Sequence, residues 1–481
     1  MTSYDLIAIL PLIILVLWAV LLILVDLVLP KEQQWITPLL AALGLLVSMG
    51  FVLAQIGRQY VAFGGMVVVD GFALFLSVLF LGSGLVAVAL AYDYLQRMEI
   101  GGSEYYILLM FSISGMMLMA VAADLIVVFL ALELLSIPLY VLSGFNPRRV
   151  DSEEAALKYF LLGAFAGGFV VYGIALVFGA TGTTGLAGIA DAVARGAANL
   201  SLLAVGGGLI LVGLGFKVAA VPFHMWTPDV YQGAPTSATA FMSVGAKAAG
   251  FAALLRVFIV AFPAVAIDLA PILWAMSALT MIVGNVVAIA QRDIKRMLAY
   301  SSIAHAGYIM MVVVPYAQKG VVQDVIASVL FYLLAYAFTS FGAWAVVITL
   351  ERAEQKGLAL EDYAGLGRKY PALAAAMTVF MMSFIGIPPT LGFLGKFFLF
   401  NTVIKSGYIG LALIGVLTSL VSAYYYLRVV VYMYMRTGEP TVSRETWVRL
   451  TAGVAAVATV LLSLVGWPLF TWASQAVMLI F

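Results

Sequence analysis

The stretch Gly215-Phe-Lys-Val-Ala-Ala-Val-Pro-Phe-His-Met-Trp226 lies in a long apolar run and combines a lysine with a proline. Proline lacks an amide hydrogen and clashes with the carbonyl four residues earlier, so we expect the helix to break beside Lys217. A second stretch, Ile385-Gly-Ile-Pro-Pro-Thr-Leu-Gly-Phe-Leu-Gly-Lys396, repeats this combination. The enclosing runs, 201–231 and 371–405, exceed the roughly 20 residues that cross a bilayer, which fits two half-helices each.

The composition of the whole chain agrees with a membrane environment. The chain has 481 residues, of which 64% are hydrophobic and 10% are charged. Soluble domains contain about 25% charged residues, so a water-soluble globular protein is excluded. The net charge of +1 leaves no basic surface for nucleic acid. The absence of cysteine, with only His224 and His305, excludes disulfides, iron–sulfur ligation and Cys/His zinc sites.

Apolar runs separated by polar, glycine or proline residues predict an all-α polytopic membrane protein with about fourteen transmembrane helices. Helices 7 and 12 are the two that we expect to be broken. The predicted spans are 6–29, 36–55, 71–92, 104–122, 125–144, 155–179, 201–231, 236–262, 268–290, 297–315, 323–350, 371–405, 407–434 and 449–479.

The distribution of lysine and arginine over the loops predicts the orientation. Fourteen lie in loops after odd-numbered spans and four after even-numbered spans, so the odd loops should face the cytoplasm and both termini the outside. The odd-loop cations are Lys31, Arg97, Arg148, Arg149, Arg292, Lys295, Arg296, Arg352, Lys356, Arg368, Lys369, Arg436, Arg444 and Arg449; the even-loop cations are Arg58, Arg195, Lys319 and Lys405.

Three of the six cations inside apolar runs have ordinary structural explanations. Lys158 follows Glu154 by four residues near a helix start, a spacing that predicts a helix-end ion pair. Arg256 and Arg428 lie toward the ends of long spans, so their side chains are expected to reach the membrane interface.

Lys217, Lys247, Lys396 and Glu133 lie too deep in their spans for that explanation. A charged residue at a bilayer centre costs roughly 2.5 to 3.5 kcal/mol on insertion scales, so each needs a partner or a function. A fixed Glu133–Lys217 ion pair is one alternative, although buried pairs are a poor source of stability. Three lysines with too few buried acids favour a proton relay instead, because burial disfavours the charged ammonium.

Two breaks in corresponding positions are typical of inverted-repeat transporters whose ion site lies at the breaks. Segments 158–165 and 331–338 resemble each other, which predicts repeats of five helices, spans 4–8 and 9–13. His305, in span 10, could pass a proton between Lys247 and Lys396 because histidine titrates near neutral pH. His224 receives no role. The predicted division is 1–103 (helices 1–3), 104–262 (first repeat), 263–434 (second, inverted repeat) and 435–481 (last helix).

Three stretches, Gly215–Pro235, Asp293–Tyr308 and Gly386–Lys396, resemble the subunit N family of bacterial NADH:quinone oxidoreductase, respiratory complex I. The resemblance covers nearly the whole chain and implies an antiporter-like proton-translocating subunit of the membrane arm, located in the bacterial inner membrane. It also implies that NADH, FMN, iron–sulfur clusters and quinone are bound by other subunits, and that a neighbouring subunit M is the adjacent partner. The family's working residues correspond to Glu133, Lys217, Lys247 and Lys396 of this sequence.

Related families leave alternatives open. Subunits L and M, and the D subunit of multi-subunit Na⁺/H⁺ antiporters, share the Phe-Lys, Pro and Tyr-Ser-Ser patterns. The stretch Asp229–Pro235 favours subunit N, and the lack of a long C-terminal extension argues against subunit L. A subunit of a Na⁺/H⁺ antiporter, the equivalent subunit of a plastoquinone-reducing complex and a purely structural spacer remain the alternatives.

Overall fold

The computed structural model describes residues 3–30, 33, 35–352 and 356–479, and these residues form a helical bundle. The helices are α1 Ser3–Ala8, α2 Leu10–Val28, α3 Ile36–Ala54, α4 Gly71–Arg97, α5 Glu104–Val121, α6 Leu125–Ser143, α7 Val150–Thr181, α8 Leu186–Ala194, α9 Leu200–Val218, α10 Trp226–Gly233, α11 Thr236–Phe241, α12 Lys247–Ala261, α13 Ala266–Ala290, α14 Ile294–Val313, α15 Val322–Leu350, α16 Leu366–Lys369, α17 Pro371–Ile385, α18 Leu391–Lys405, α19 Ile409–Met435, α20 Thr446–Leu464 and α21 Gly466–Gln475.

The predicted fold class, an all-α polytopic membrane protein, is confirmed. Within the described residues, 12 helices are long and apolar enough to cross a membrane. Each predicted span coincides with one helix or with consecutive helices. The count of fourteen, the inverted repeats and the domain boundaries stay predictions.

The first break separates α9 from α10. Ala219 adopts a left-handed conformation with φ of 63°, and its amide and that of Ala220 close the end of α9 by bonding to Phe216 and Gly215. Beyond the helix end, the Val221 amide donates to Thr280 Oγ1 of α13 at 2.9 Å. Irregular backbone at membrane depth must find such partners, because lipid offers none. Lys217 therefore lies in the last turn of a half-helix.

The second break separates α17 from α18. Gly386 ends α17 with φ of 91°, a conformation that glycine adopts without a steric penalty. A Cβ atom there would come within 3.0 Å of the Lys396 side chain, so the glycine also makes room for that lysine. Pro388 and Pro389 follow, and the Thr390 hydroxyl accepts from the Phe393 amide to begin α18.

The central lysine lies at a third irregularity. Residues Met242–Ala246 form a π-helical turn between α11 and α12, and Lys247 is the first residue of α12. Turns of this kind often occur at functional sites. Every residue from 236 to 261 is buried, so Lys247 is enclosed by protein.

Several short elements lie outside the predicted spans, among them α16. A short hairpin pairs β1 (Tyr60–Ala62) with β2 (Val67–Val69), with Tyr60 opposite Val69. Helix α8, between α7 and α9, is too short to cross a bilayer, so a search for apolar spans omits it. Lys31, one of the predicted loop cations, lies outside the described residues.

Candidate functional site

Lys217 is buried and is held by two hydroxyl groups. Its ammonium donates to Ser136 Oγ at 2.8 Å and to Tyr159 OH at 3.1 Å. The carbonyl groups at the end of α9 carry the negative end of the helix dipole, which favours a cation in the last turn. Gly250 packs on the Lys217 side chain, one turn beyond Lys247, so helices α9 and α12 meet closely here.

Glu133 lies on α6, three residues before Ser136, and is only partly buried within this chain. Its carboxylate approaches Gly167 of α7, where a Cβ atom would be 3.1 Å from Glu133 Oε1. Among the described residues, no cation lies within 4.0 Å of it. The fixed Glu133–Lys217 ion pair is therefore not formed in this structure. Lys217 instead donates to Ser136, which lies one turn from Glu133 on α6.

Lys247 reaches across to helix α14. Its ammonium donates to the Ser302 carbonyl oxygen at 2.6 Å and also to the Ser302 hydroxyl. The ring of Tyr231 lies 6.0 Å from the same nitrogen. These contacts connect the helix of the central lysine to the helix that carries His305.

Lys396 bridges the second break. It lies on α18, and its ammonium donates to the carbonyl oxygen of Ile385 at 2.9 Å and to Ser419 Oγ at 2.7 Å. Ile385 is the last residue of α17, so this lysine also occupies the negative end of a half-helix. The nitrogen lies 4.7 Å from the centre of the Tyr308 ring.

His305 lies between these two lysines along α14. Nδ1 is 2.5 Å from Tyr332 OH, and Nε2 is 3.1 Å from Tyr426 OH. Ser302, the partner of Lys247, precedes His305 by three residues, and Tyr308, below Lys396, follows it by three. The structure thus places a polar row along one helix between Lys247 and Lys396.

The three buried lysines share one property. Their exposed fractions are 2% for Lys217, 4% for Lys247 and 5% for Lys396. Each donates only to hydroxyl or backbone carbonyl oxygens, and across the described ranges none has a carboxylate within 4.0 Å. Hydroxyl and carbonyl oxygens accept hydrogen bonds from an ammonium without compensating its charge.

The other cations of the apolar runs separate into confirmed and wrong predictions. Lys158 does pair with Glu154 at 2.6 Å, and it also pairs with Asp229 of α10 at 2.6 Å. Arg256 does not reach an interface: it is 1% exposed and forms a bidentate ion pair with Asp70, at 2.8 and 2.9 Å. The expectation failed because Asp70 begins α4 directly beside α12, which the sequence does not reveal.

Of the remaining cations, only Lys295 differs from its prediction. Arg428 is partly exposed and donates to the carbonyl oxygens of Ile289 and Gln291, so it caps the end of α13, and its position at the membrane interface stays a prediction. Lys295, counted as a loop cation, is fully buried in the first turn of α14 and donates to the Ala234 carbonyl at 2.8 Å. His224 lies in the first break, half-buried.

In the part of the chain that the structure describes, no three histidine, aspartate or glutamate side chains come close enough together to hold a metal ion. The Tyr-Ser-Ser stretch ahead of His305 contains Ser302, the partner of Lys247. The other hydroxyl partners could not be predicted, because serine and tyrosine are common in helices and only their tertiary neighbours distinguish them. These partners are Ser136, Tyr159, Ser419, Tyr332 and Tyr426.

This chain is similar to known proteins in both sequence and fold. The family described as NADH:quinone oxidoreductase/Mrp antiporter, TM, matches residues 122–422. NADH-quinone oxidoreductase subunit N of Trichlorobacter lovleyi is 47% identical over 486 residues, covering 99% of this chain and 98% of the relative. A chain of respiratory complex I from Thermus thermophilus with bound aureothin superposes with a TM-score of 0.83 at 38% identity, covering 96% of this chain and 99% of that one. A chain of the Mrp complex from Dietzia sp. shares the fold, with a TM-score of 0.85 at 20% identity and coverage of 99% and 97%.

A bundle of membrane-crossing helices with two interrupted helices and a row of buried lysines defines a multi-pass, antiporter-like membrane subunit. Relatives that are 45% and 47% identical over 99% of this chain show to which family of such subunits it belongs. The chain belongs to the family of NADH-quinone oxidoreductase subunit N, membrane subunits of a translocase complex.

Proposed function

We propose that this chain moves protons across the bilayer as a membrane-arm subunit of NADH:quinone oxidoreductase, driven by redox energy released in other subunits. NADH, FMN, the iron–sulfur clusters and quinone would be bound by those subunits. The names of the full-length relatives and the Thermus thermophilus complex support this assignment.

One observation carries the proposal: Lys217, Lys247 and Lys396 are buried without a carboxylate within 4.0 Å in the described structure. Three fixed, uncompensated charges would be costly in this environment. A proton that can leave each site removes that cost for part of the cycle. Moving one charge against 100 mV requires about 2.3 kcal/mol, so the transfer must be driven from outside the chain.

The arrangement suggests a direction along the row. Glu133 and Lys217 form the input pair, Lys247 holds the proton centrally, His305 passes it on and Lys396 releases it on the outer side. Ser136, which accepts from Lys217 one turn away from Glu133, is the natural link within the input pair. Lys217 gains or loses its proton when Glu133 changes its charge or when a group of a neighbouring subunit compensates that charge.

Two surfaces support contact with neighbouring subunits. Glu133 lies on a stripe of α6 whose apolar members Leu130 and Ile137 are more than half exposed, and a carboxylate there is costly against lipid. We infer that an adjacent antiporter-like subunit M covers this stripe. The exposed Pro388 and Pro389 of the second break also need protein cover, since irregular backbone does not face lipid. Purification from the native membrane, with identification of the associated subunits, tests this inference.

The charge distribution over the loops supports the orientation. We propose that the chain lies in the bacterial plasma membrane with the arginine-rich odd loops in the cytoplasm and both termini outside.

The variants Lys247→Ala and Lys247→Arg test the proposal. In membrane vesicles, NADH-driven acidification is measured with a pH-sensitive dye and normalised to the assembled complex by its NADH–ferricyanide activity. Both variants should lose most proton pumping, because alanine cannot hold a proton and arginine does not release one. Lys405→Ala, at an exposed site that pairs with Asp324 at 3.4 Å, should pump normally.

Normal pumping by an assembled Lys247→Ala complex would refute the proposal. Pumping retained by Lys247→Arg alone would assign Lys247 a fixed charge instead of a transferable proton. Acidification that depends on added Na⁺ would favour the antiporter alternative.

A further inference from the structure

His305 is hydrogen-bonded on both sides of its ring by tyrosines from two other helices. Both ring nitrogens have a hydroxyl partner, Nδ1 with Tyr332 of α15 and Nε2 with Tyr426 of α19, at 2.5 and 3.1 Å. His305 and Tyr332 are at most 4% exposed and Tyr426 is fully buried, so these contacts are shielded from lipid and solvent.

The hydrogen bonds extend from Tyr426 back toward the central lysine. Tyr426 OH is also hydrogen-bonded to Ser301 Oγ, and either oxygen can be the donor. Ser301 is adjacent in sequence to Ser302, whose carbonyl and hydroxyl oxygens accept from the Lys247 ammonium. The start of this chain of hydroxyls therefore lies next to the group that holds the proton centrally.

At the other end, Tyr332 contacts α18, the helix that carries the distal lysine. Its ring packs on Gly395, where a Cβ atom would be 2.8 Å from Tyr332 Cδ2. Gly395 immediately precedes Lys396, which donates to Ile385 and Ser419. The string Ser301–Tyr426–His305–Tyr332 thus spans the interval between the surroundings of the two lysines.

The chemistry of these four side chains allows a proton to pass. A serine or tyrosine hydroxyl donates one hydrogen bond and accepts others, and a neutral imidazole has one donor and one acceptor nitrogen. When a proton arrives at Ser301, each member accepts one proton and gives one to the next. Tyr426 gives its proton to Nε2, Nδ1 gives its proton to Tyr332, and Tyr332 releases one toward Lys396. No member changes its net charge, and rotation of the hydroxyls with tautomerisation of the ring resets the string.

We propose that Ser301, Tyr426, His305 and Tyr332 form one hydrogen-bonded proton wire between Lys247 and Lys396, in which the two tyrosines position the imidazole and complete the path. The wire depends on the proposed function, because it presupposes that Lys247 delivers protons. It adds Tyr332 and Tyr426, which spacing along the chain does not indicate because they come from different helices.

A neighbouring network provides a matched control. Tyr425, beside Tyr426 on α19, is equally buried, and its hydroxyl donates to Asn285 Oδ1 at 3.0 Å. Asn285 in turn donates to Tyr308 OH at 3.1 Å. A side-chain amide does not pass protons as a hydroxyl does, so Tyr425 lies outside the wire. Tyr425→Phe removes one buried hydroxyl and one hydrogen bond, as Tyr332→Phe does, whereas Tyr426→Phe removes one hydroxyl and two hydrogen bonds.

The experiment compares Tyr332→Phe, Tyr426→Phe and Tyr425→Phe in the assembled complex in membrane vesicles. Pumping is normalised to NADH–ferricyanide activity and measured in H₂O and in D₂O. Tyr332→Phe and Tyr426→Phe should pump about tenfold more slowly, the effect of one lost hydrogen bond on a rate. Their H₂O/D₂O rate ratio should rise, because proton transfer becomes rate-limiting. Tyr425→Phe should match the unmodified complex in both measurements.

The outcomes separate the wire from the proposed function. If Lys247→Ala abolishes pumping while both Tyr332→Phe and Tyr426→Phe pump normally, the wire is wrong and the proposed function stands. If Lys247→Ala pumps normally, the proposed function fails and the wire fails with it. Equal losses of pumping in all three phenylalanine variants, with an unchanged H₂O/D₂O rate ratio, would show that the tyrosines serve only packing and would refute the wire. Where a tyrosine variant does not assemble, Ser301→Ala replaces it under the same criteria.

Discussion

The buried ion pair between Arg256 and Asp70 gives a sharp prediction about stability. Asp70 is fully buried, and besides the two bonds from Arg256 it accepts from the amides of Ala73 and Leu479, each at 2.9 Å. Asp70→Asn keeps the size of the side chain and its capacity to cap α4, since asparagine caps as well as aspartate. The substitution removes the charge that compensates Arg256, and it replaces Oδ2, which accepts from Arg256 and from the Leu479 amide, with an NH2 group that cannot accept. Leaving a buried charge without its partner costs about 3 to 5 kcal/mol.

Asp124 provides the matched control. It is 5% exposed and caps α6, accepting from Ile126 N and Thr184 Oγ1 at 2.8 Å each. No cation lies within 4.0 Å of it among the described residues, so Asp124→Asn should cost at most about 1 kcal/mol.

The assay is fluorescence-detected gel filtration of the tagged complex after heating in detergent. We expect Asp70→Asn to lower the temperature of half-loss far more than Asp124→Asn. The double variant Asp70→Asn/Arg256→Met should recover much of the difference, because it removes the uncompensated charge. Equal behaviour of the two single variants would refute the assigned cost of the unpaired arginine.

Two further predictions concern packing and orientation. Gly173→Ala should reduce the amount of assembled chain, because the new Cβ atom would lie 2.8 Å from the Gly206 carbonyl oxygen at the contact of α7 with α9; Gly168→Ala on the same helix meets nothing within 4 Å and should be neutral by the same immunoblot. Because the chain contains no cysteine, Ala197→Cys and Thr437→Cys each introduce a single labelling site. An impermeant maleimide should label Ala197→Cys in intact cells and Thr437→Cys only in inside-out vesicles, and the reverse pattern would invert the proposed orientation.

The features that depend on local chemistry could be predicted from the sequence. Long apolar runs specify membrane helices wherever they occur in the chain, and a proline interrupts a helix whatever surrounds it. The two breaks and the burial of Lys217, Lys247 and Lys396 therefore followed from composition and spacing. The short hairpin and α8 did not, because elements too short to span a bilayer leave no hydropathy signal.

The sequence by itself determined the class of protein, the places where its helices break and which charged residues lie in the membrane. Only the tertiary structure decided what those residues contact. Arg256 was expected at an interface, yet its partner Asp70 is 186 residues away. Likewise Tyr332 and Tyr426 meet His305 because α15 and α19 pack against α14 at that level. Hydropathy and backbone breaks are properties of a few consecutive residues, whereas a hydrogen bond between helices depends on which helices are neighbours and how each is rotated.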